Sequence, residues 1–151
     1  MPAKLNFKNP AATASMIVEK DNQIYLVKRK HPPYAGMLAL PGGFLNCDRE
    51  SLEETAVREL KEETPFGARV EDIELLCVNS SPTRDPRGHV IDHVYIIKKY
   101  LECPHESGDY DDADSDGSRL FPLDNLPALA FDHGEVLEKY KAWRMKNEKL
   151  S

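Results

Sequence analysis

The chain has 151 residues, of which 40% are hydrophobic and 30% are charged, and this length fits a single domain over residues 1–151 with one core. No apolar run approaches the length that a transmembrane helix needs, so we expect no membrane span and no membrane partner. The formal net charge of −6 gives no general field that would attract DNA or RNA, so we predict no nucleic-acid partner.

The N-terminal segment and the cysteines both indicate a cytoplasmic protein. The first ten residues, MPAKLNFKNP, lack the apolar core and the cleavage site of a secretory signal. Cys47, Cys77 and Cys103 are odd in number and widely spaced, which argues against a disulfide framework and against a zinc site. We therefore expect a cytoplasmic location with reduced thiols.

Two strands and a loop are predicted before the first glycine pair. Ala14 to Val18 and Ile24 to Lys28 are rich in β-branched and apolar residues and are joined by the polar turn EKDNQ, a pattern that predicts a β-hairpin. The segment HPPYAGMLALPGG is rich in Pro and Gly, so we predict a loop without regular structure.

A helix is predicted over residues 52–63. Ser51 and Glu54 match the S-x-x-E capping box, which marks the start of the helix. Pro65 disfavours the α conformation in the residue before it, which marks the end. Both ends of this helix are therefore signalled in the sequence.

The second half of the chain is predicted to hold two strands and a C-terminal helix. The strands lie in VEDIELLCVNS and HVIDHVYIIKKYLE, on either side of the loop SPTRDPRG. The polar loop CPHESGDYDDADSDGSR and the turn-rich connector LFPLDNLPAL follow. DHGEVLEKYKAWRMKNEKL has apolar residues at helical spacing, an acidic start and a basic end. This mixture favours a layered α+β or α/β domain with a mixed sheet.

Two acids of the first helix are predicted to lie on its apolar side. At 100° per residue, Glu63 falls between Leu52 and Ala56 in the apolar arc, and Glu59 lies at the border of that arc. A buried carboxylate without a partner costs several kcal/mol or binds a proton, so the pair demands compensation. Mg²⁺ or Mn²⁺ suits hard carboxylate oxygens and shares its coordination with substrate phosphates. The alternative is a solvated helix with i,i+4 pairs, and the position of Glu63 argues against it.

These acids belong to a longer pattern. Its members are Gly43, Glu50, Arg58, Glu59, Leu60, Glu62 and Glu63. The pattern resembles the Nudix box, G-x5-E-x7-R-E-U-x-E-E-x-G-U, in which U is bulky and apolar. Two features depart from the box: six residues instead of five separate Gly43 from Glu50, and Pro65 stands at the second box glycine.

The resemblance implies the Nudix fold, an α/β domain in which a mixed β-sheet is sandwiched between α-helices. It also implies a set of candidate metal ligands, namely Gly43 through its carbonyl, Glu59, Glu62 and Glu63. Glu62 is in addition a candidate partner of the general base, and Glu50 and Arg58 would hold the ligands in place.

Two other segments resemble those of short ADP-ribose pyrophosphatases of this family, SSPTRDPRGHVIDHVYI and LAFDHGEVLE. In the first, Arg84 and Arg87 are candidates for a fork that binds diphosphate or ribose-phosphate oxygens, because guanidinium groups bind such oxygens bidentately. The alternative is a solvated turn in which Asp85 pairs with an arginine. Arg29, after the predicted hairpin, is a third candidate for substrate binding, against the alternative of an ordinary solvated strand end.

An acidic residue of the polar loop completes the candidate site. In the related pyrophosphatases an acid on the corresponding loop helps to activate water or to bind a metal, and the segment DDA resembles that place. We therefore count Asp112 as a candidate catalytic residue, with Glu62 or Asp112 taking the proton from the attacking water.

These observations together predict a Mg²⁺- or Mn²⁺-dependent hydrolase of nucleoside diphosphates linked to another moiety, with ADP-ribose cleaved to AMP and ribose 5-phosphate. Two alternatives stay open. One is a MutT-like nucleoside triphosphate pyrophosphatase, and the other is a Nudix module that senses a nucleotide without cleaving it. A nucleotide-derived small molecule is the expected partner, and a homodimer is expected from the family resemblance alone.

Overall fold

The computed structural model describes residues 4–102 and 117–148, which form two α-helices and ten strands. The strands are β1 (Ala11–Ile17), β2 (Glu19–Lys20), β3 (Gln23–Lys28), β4 (Leu38–Ala39), β5 (Gly42–Phe44), β6 (Phe66–Gly67), β7 (Ile73–Asn79), β8 (Val90–Ile97), β9 (Leu101–Glu102) and β10 (Arg119–Pro122). The helices are α1 (Leu52–Glu63) and α2 (His133–Glu148), and a single 3-10 turn spans Val70–Asp72.

The larger sheet has the strand order β5-β1-β8-β7. Strands β1 and β8 run parallel, with Ala11 opposite Val90 and Ile17 opposite Ile96, whereas β5 and β7 pair antiparallel with their neighbours. A second sheet has the order β10-β3-β2, with β4 also paired to β3, and β6 pairs with β9. The larger sheet is therefore mixed.

This mixed sheet lies between the two helices. On β1, Ala14 and Met16 share a core cluster with Leu60 of α1. Ile17 points to the other face and joins a second cluster with Val136 of α2. Alternate residues of one strand thus supply both cores, as the two-residue period of a strand requires. The predicted α/β architecture, a mixed sheet sandwiched between helices, is confirmed.

The predicted hairpin between Ala14 to Val18 and Ile24 to Lys28 is wrong. Both segments are strands, but β1 pairs with β5 and β8, whereas β3 pairs with β2, β4 and β10. The hairpin is the short one from β2 to β3, closed by Asp21 and Asn22, which both have positive φ angles of 53° and 63°. Such a two-residue turn matches the twist of the strands that it joins.

Two segments that we predicted to be irregular contain strands. The Pro and Gly-rich segment holds β4 and the start of β5, and the connector holds most of β10. These strands are short and pair with partners that are distant in sequence, so no local periodicity marks them. The predicted strands around β7 and β8 and the predicted C-terminal helix are confirmed.

Both predicted ends of α1 are confirmed. The Ser51 side chain accepts a hydrogen bond from the Glu54 N–H at 3.1 Å, and the Glu54 carboxylate accepts one from the Ser51 N–H at 2.9 Å. At the other end, Thr64 is extended, with a φ of −138°. Its hydroxyl donates to the Leu60 carbonyl at 2.7 Å and accepts from the Phe66 N–H at 3.0 Å. The helix therefore leaves directly into β6 across Pro65, without a helix-ending glycine.

Among the described residues there is no helix that is both long and apolar enough to span a membrane.

The capping box at Ser51 gives a test of how α1 is held. The Ser51→Ala substitution removes the acceptor for the Glu54 N–H and is expected to lower the free energy of unfolding by about 1 kcal/mol. Urea denaturation of the metal-free protein measures this change. The control is Ser80→Ala, at an exposed position that caps no helix. Equal stability of the wild type and Ser51→Ala would contradict the assignment of the box.

Candidate active site

Glu63 stands at the end of α1 and is the most deeply buried acid of the helix. Its Oε2 accepts a hydrogen bond from the backbone N–H of Gly42 at 2.9 Å. Burial raises the pKa of Glu63 to about 8, and the nearby Glu59 and Glu62 carboxylates add to this effect, while the Gly42 N–H opposes it. Because one N–H is its only strong partner among the described residues, the ionised form of Glu63 needs a further cation.

Glu59 lies one turn earlier and is held against the backbone of β5. A Cβ atom on Gly43 would fall on the Glu59 carboxylate, so the absence of a side chain at position 43 makes room for this acid. Burial raises the pKa of Glu59, and Arg58, whose Nη1 donates to Glu59 Oε1 at 2.9 Å, opposes the increase. The lack of a side chain at Gly43 therefore allows the Glu59 carboxylate to lie against β5.

Arg58 clamps the acids to the preceding loop. Its Nε and Nη2 donate to the two oxygens of Glu50 at 3.0 and 2.7 Å, and Nη2 also donates to the Phe44 carbonyl at 3.2 Å. The hydrogen bonds from Arg58 lower the pKa of Glu50 to about 2. Glu62 takes a weaker share, with its Oε2 at 3.3 Å from Nη1. The bidentate geometry fixes the orientation of the guanidinium group beside Glu59.

The extra residue between Gly43 and Glu50 is absorbed by a tight turn. The Arg49 N–H donates to the Asn46 carbonyl at 3.1 Å, and Asp48 has a φ of 66°, in the left-handed region. The Asn46 N–H donates to Glu50 Oε1 at 3.0 Å. Glu50 therefore still reaches Arg58.

The acids of α1 fit a cation of the magnesium type. Three carboxylates, those of Glu59, Glu62 and Glu63, share one guanidinium group and one backbone N–H. Within residues 4–102 and 117–148, no three His, Cys, Asp or Glu side chains converge as a closed metal cage requires. Mg²⁺ and Mn²⁺ do not need such a cage, because they keep several waters and complete their coordination with substrate phosphates.

A cavity of about 490 Å³ opens beside the end of α1. The predicted site residues that line it are Gly43, Glu62, Glu63, Arg29, Arg84 and Arg87. Glu50, Arg58 and Glu59 are outside its lining, behind Gly43. The remaining candidate, Asp112, lies outside the described residues. One space thus joins the acidic end of α1 to three guanidinium groups.

Arg84 and Arg87 are both paired with carboxylates. Arg84 is buried, and its Nε and Nη2 donate to the two oxygens of Asp132 at 2.9 and 2.8 Å. Arg87 makes the same kind of bidentate contact with Asp85, at 3.1 and 2.8 Å, and its guanidinium group lies 5.6 Å from the centre of the Phe131 ring. The structure therefore contains the ion pair of Asp85 with an arginine, which was the alternative to a phosphate-binding fork. The turn is partly buried and not fully solvated, since Asp85 is 4% exposed.

Arg29 differs from the other two arginines. Its Nε donates to the Pro33 carbonyl at 2.7 Å, and its Nη2 lies 3.4 Å from the His31 carbonyl. Within the described parts of the chain, it forms no ion pair with a carboxylate. Burial lowers the pKa of Arg29, and the Arg87 charge adds to this effect. Of the three guanidinium groups at the cavity, that of Arg29 is the one left for an anionic ligand.

Sequence reasoning missed a polar group on the cavity floor. Asp92 of β8 is 1% exposed and accepts hydrogen bonds from the hydroxyls of Thr13 at 2.8 Å and Ser15 at 2.9 Å. His133, at the start of α2, is 5% exposed and accepts one from the Leu40 N–H at 3.0 Å through Nδ1. The aspartate in the apolar strand HVIDHVYII was the available signal, because a carboxylate in a buried strand costs free energy unless polar partners bind it.

The comparisons with known proteins agree on one family. The model of the NUDIX domain matches residues 8–140. The ADP-ribose pyrophosphatase of Methanocaldococcus jannaschii is 46% identical over 138 residues, which are 91% of this chain and 77% of that protein.

Two further similar proteins have ADP-ribose in their descriptions. The ADPR responsive transcriptional repressor NtrR of Acinetobacter baylyi is 26% identical over 143 residues, 90% of this chain and 55% of the repressor. The solved NUDIX domain of Shewanella oneidensis NrtR in complex with ADP ribose is 30% identical, with a TM-score of 0.70 over 96% of this chain and 91% of that one.

The buried position of Glu63 predicts how stability depends on pH. Because the folded pKa is about 8 and the ordinary value is 4.5, the metal-free fold should lose stability as the pH rises from about 4.5 to about 8. Glu63→Gln keeps an acceptor for the Gly42 N–H and stays neutral, so it should be close to the wild type at pH 5 and exceed it at pH 8.5 by on the order of 4 kcal/mol. Denaturant titration with a chelator present measures this difference.

The control for this test is Glu62→Gln, on a side chain that is 53% exposed, which should alter the pH dependence much less. If Glu63→Gln were less stable than the wild type by the same amount at both pH values, the buried carboxylate would not be the cause.

Proposed function

Because this chain belongs to the NUDIX domain family, we propose that it is a pyrophosphohydrolase that depends on Mg²⁺ or Mn²⁺ and cleaves ADP-ribose into AMP and ribose 5-phosphate. The observation that carries the proposal is that one cavity joins the acidic end of α1 to Arg29 and its neighbouring arginines. A diphosphate fits such a site, since its oxygens bind both a cation held by carboxylates and guanidinium groups. The similarity to the Methanocaldococcus ADP-ribose pyrophosphatase supports the choice of substrate.

Glu59 and Glu63 are the proposed ligands of the cation, with the Gly43 carbonyl and Glu62 beside them. Their burial supports this role, because two neighbouring carboxylates in a poorly solvated place repel each other until a cation lies between them. When bound, the cation would neutralise the diphosphate and make the attacking water more acidic. The Gly42 N–H keeps Glu63 oriented throughout.

Glu50 and Arg58 are the proposed positioning residues. Arg58 holds Glu59 while Glu50 holds Arg58, so the carboxylate is oriented before substrate arrives. Glu62 is half exposed and lines the cavity, which suits a group that accepts a proton from water. Asp112 remains the second candidate for that proton.

The three arginines have different proposed roles. Arg29, whose hydrogen bonds within the described residues go to carbonyls and whose guanidinium group also lies over the Phe131 ring, binds the diphosphate oxygens directly. Arg87 is held by Asp85 and lies between the rings of Phe44 and Phe131, so it lines the cavity and adds positive charge. Arg84 is fixed to Asp132 and supports the floor of the cavity.

Two other functions are separable by experiment. A module that senses ADP-ribose without cleaving it is favoured by the similarity to the Acinetobacter repressor. However, α1 keeps the acids Glu59, Glu62 and Glu63, with Arg58 bound to Glu59, and this arrangement favours hydrolysis. A nucleoside triphosphate pyrophosphatase of the MutT type would use the same acids with another base pocket. The cytoplasmic location, the homodimer and the lack of a nucleic-acid partner stay predictions.

The first test is turnover in the presence of Mg²⁺ or Mn²⁺, with ADP-ribose, NADH, diadenosine polyphosphates and nucleoside triphosphates offered separately and the products separated by chromatography. ADP-ribose should give AMP and ribose 5-phosphate, and Glu59→Gln and Glu63→Gln should each lower kcat by at least about 100-fold. Preference for a triphosphate would move the protein to the MutT type. Tight binding of ADP-ribose without turnover would identify a sensor.

The glycine at position 43 gives a second test. Gly43→Ala places a methyl group on the Glu59 carboxylate and should lower kcat by about 10- to 100-fold, because a displaced ligand weakens the cation site. The matched control is Gly134→Ala in α2, where a Cβ would meet no atom within 4 Å. Full activity of Gly43→Ala would show that Glu59 does not need its present position.

A further inference from the structure

Three buried polar groups face one another across a gap on the cavity floor. Asp92 Oδ2 lies 3.9 Å from His133 Nε2 and 3.8 Å from Arg84 Nη2. Both separations exceed a hydrogen bond, so these groups do not satisfy one another. All three residues line the cavity, and each of the three side chains is no more than 6% exposed.

The His133 ring presents a donor that has no partner. Its Nδ1 accepts from the Leu40 N–H, so the proton of the neutral ring is on Nε2. Burial lowers the pKa of His133, which keeps the ring neutral. Among the residues that the structure describes, no acceptor lies within hydrogen-bond distance of Nε2. A buried donor in this state costs free energy unless a ligand satisfies it.

Asp92 presents the complementary acceptor. Its Oδ1 receives a hydrogen bond from Thr13 at 2.8 Å, and the single hydroxyl proton of Ser15 is shared between Oδ1 and Oδ2, each 2.9 Å from Ser15 Oγ, so Oδ2 has no donor of its own among the described residues. Arg84 is already committed to Asp132 through two nitrogens and can offer a weak additional N–H at most. The gap is therefore bounded by one acceptor with spare capacity and by two donors.

A hydroxyl group matches this arrangement. It can donate to Asp92 Oδ2 and accept from His133 Nε2 at the same time. A phosphate at this point would meet the Asp92 carboxylate, and a cation would meet the His133 N–H and the Arg84 guanidinium group. Carboxylates are established partners of ribose hydroxyls in nucleotide sites, which makes a sugar the suitable source.

The position relative to Glu63 agrees with a sugar next to the reacting phosphate. Ser15 is opposite Gly42 in the β1–β5 register, and the same Ser15 holds Asp92. Strands β8 and β5 flank β1, so the backbones of Asp92 and Gly42 are about two strand spacings, roughly 10 Å, apart, and the Ser15 hydroxyl lies between the Asp92 carboxylate and Gly42. Asp92 and His133 line the same cavity as Glu63, so a sugar bound by the first two residues can be joined to a phosphate bound beside Glu63.

We propose that Asp92 and His133 bind a hydroxyl of one of the two riboses attached to the scissile diphosphate and thereby select ribosyl over deoxyribosyl substrates. This inference rests on the proposed hydrolysis of ADP-ribose. ADP-ribose has two riboses, and the shared chemistry is that of a secondary sugar hydroxyl. The experiment separates the two sources.

The test combines protein variants with substrates that lack one hydroxyl. His133→Asn keeps an oxygen that can accept the Leu40 N–H but removes the Nε2 donor, and Asp92→Asn keeps the shape of the side chain while removing its charge. The control is His93→Asn, on the same strand as Asp92 but outside the cavity lining. kcat and KM are measured on ADP-ribose, on analogues without the 2′-hydroxyl of either ribose, and on the hypoxanthine analogue of ADP-ribose.

Wild type and His93→Asn should lose about 10- to 100-fold in kcat/KM on one of the two deoxy analogues, and the analogue affected identifies the ribose. His133→Asn and Asp92→Asn should lose a similar factor on ADP-ribose, mainly through KM, and should show little further loss on that analogue. Their losses on the hypoxanthine analogue should parallel those on ADP-ribose, since the base is not bound here.

The inference would be overturned if the wild type and His133→Asn lost the same factor in kcat/KM between ADP-ribose and its deoxy analogues. It would also be overturned if the effect of the substitutions depended on the base of the substrate and not on the sugar hydroxyl. Melting temperatures identify a variant that does not fold, in which case the second variant decides. If the wild type does not hydrolyse ADP-ribose at all, the proposed function fails. The binding of ADP-ribose and its deoxy analogues, measured by calorimetry, then tests the hydroxyl site on its own.

Discussion

The arrangement of the site depends on the burial of Glu63 against the backbone N–H of Gly42. This contact joins the end of α1 to β5 and places a carboxylate where water solvates it poorly. A second acid, Glu59, is pressed against Gly43 in the same region. One arginine, Arg58, offsets part of the negative charge, and its own position is fixed by Glu50. The remaining charge is what a divalent cation would neutralise, so the same feature that destabilises the metal-free fold prepares the site for metal.

Side chains of both signs of charge line the cavity. Glu62 and Glu63 line it at the end of α1, and Arg29, Arg84 and Arg87 line it around Phe131. Two of these arginines are held by Asp132 and Asp85, which keeps three like charges close together without leaving all of them free. In the proposed complex, a diphosphate would contact both the cation held by the acids and the guanidinium group of Arg29. The pair of Asp92 and His133 is proposed to bind a hydroxyl of a ribose that the diphosphate carries.

The part of the site that could be predicted from sequence is the part that local geometry dictates. The spacing within α1 places Glu59, Glu62 and Glu63, and the capping box fixes where the helix starts, because both depend on residues within a few positions of each other. The pairing of β1 with β8, the ion pair between Arg84 and Asp132, and the gap between Asp92 and His133 join residues that are 40 or more positions apart. No periodicity encodes such contacts, and for this reason a hairpin was predicted where the chain crosses between two sheets.

The most direct measurement is the binding of Mn²⁺ to the wild type and to Glu63→Gln, followed through the electron paramagnetic resonance signal of the free ion. The wild type is expected to bind Mn²⁺ saturably, and the variant to bind at least about tenfold more weakly, because it removes a charged ligand while keeping the contact with Gly42. Equal affinities would contradict the central claim that the buried carboxylates at the end of α1 form the cation site.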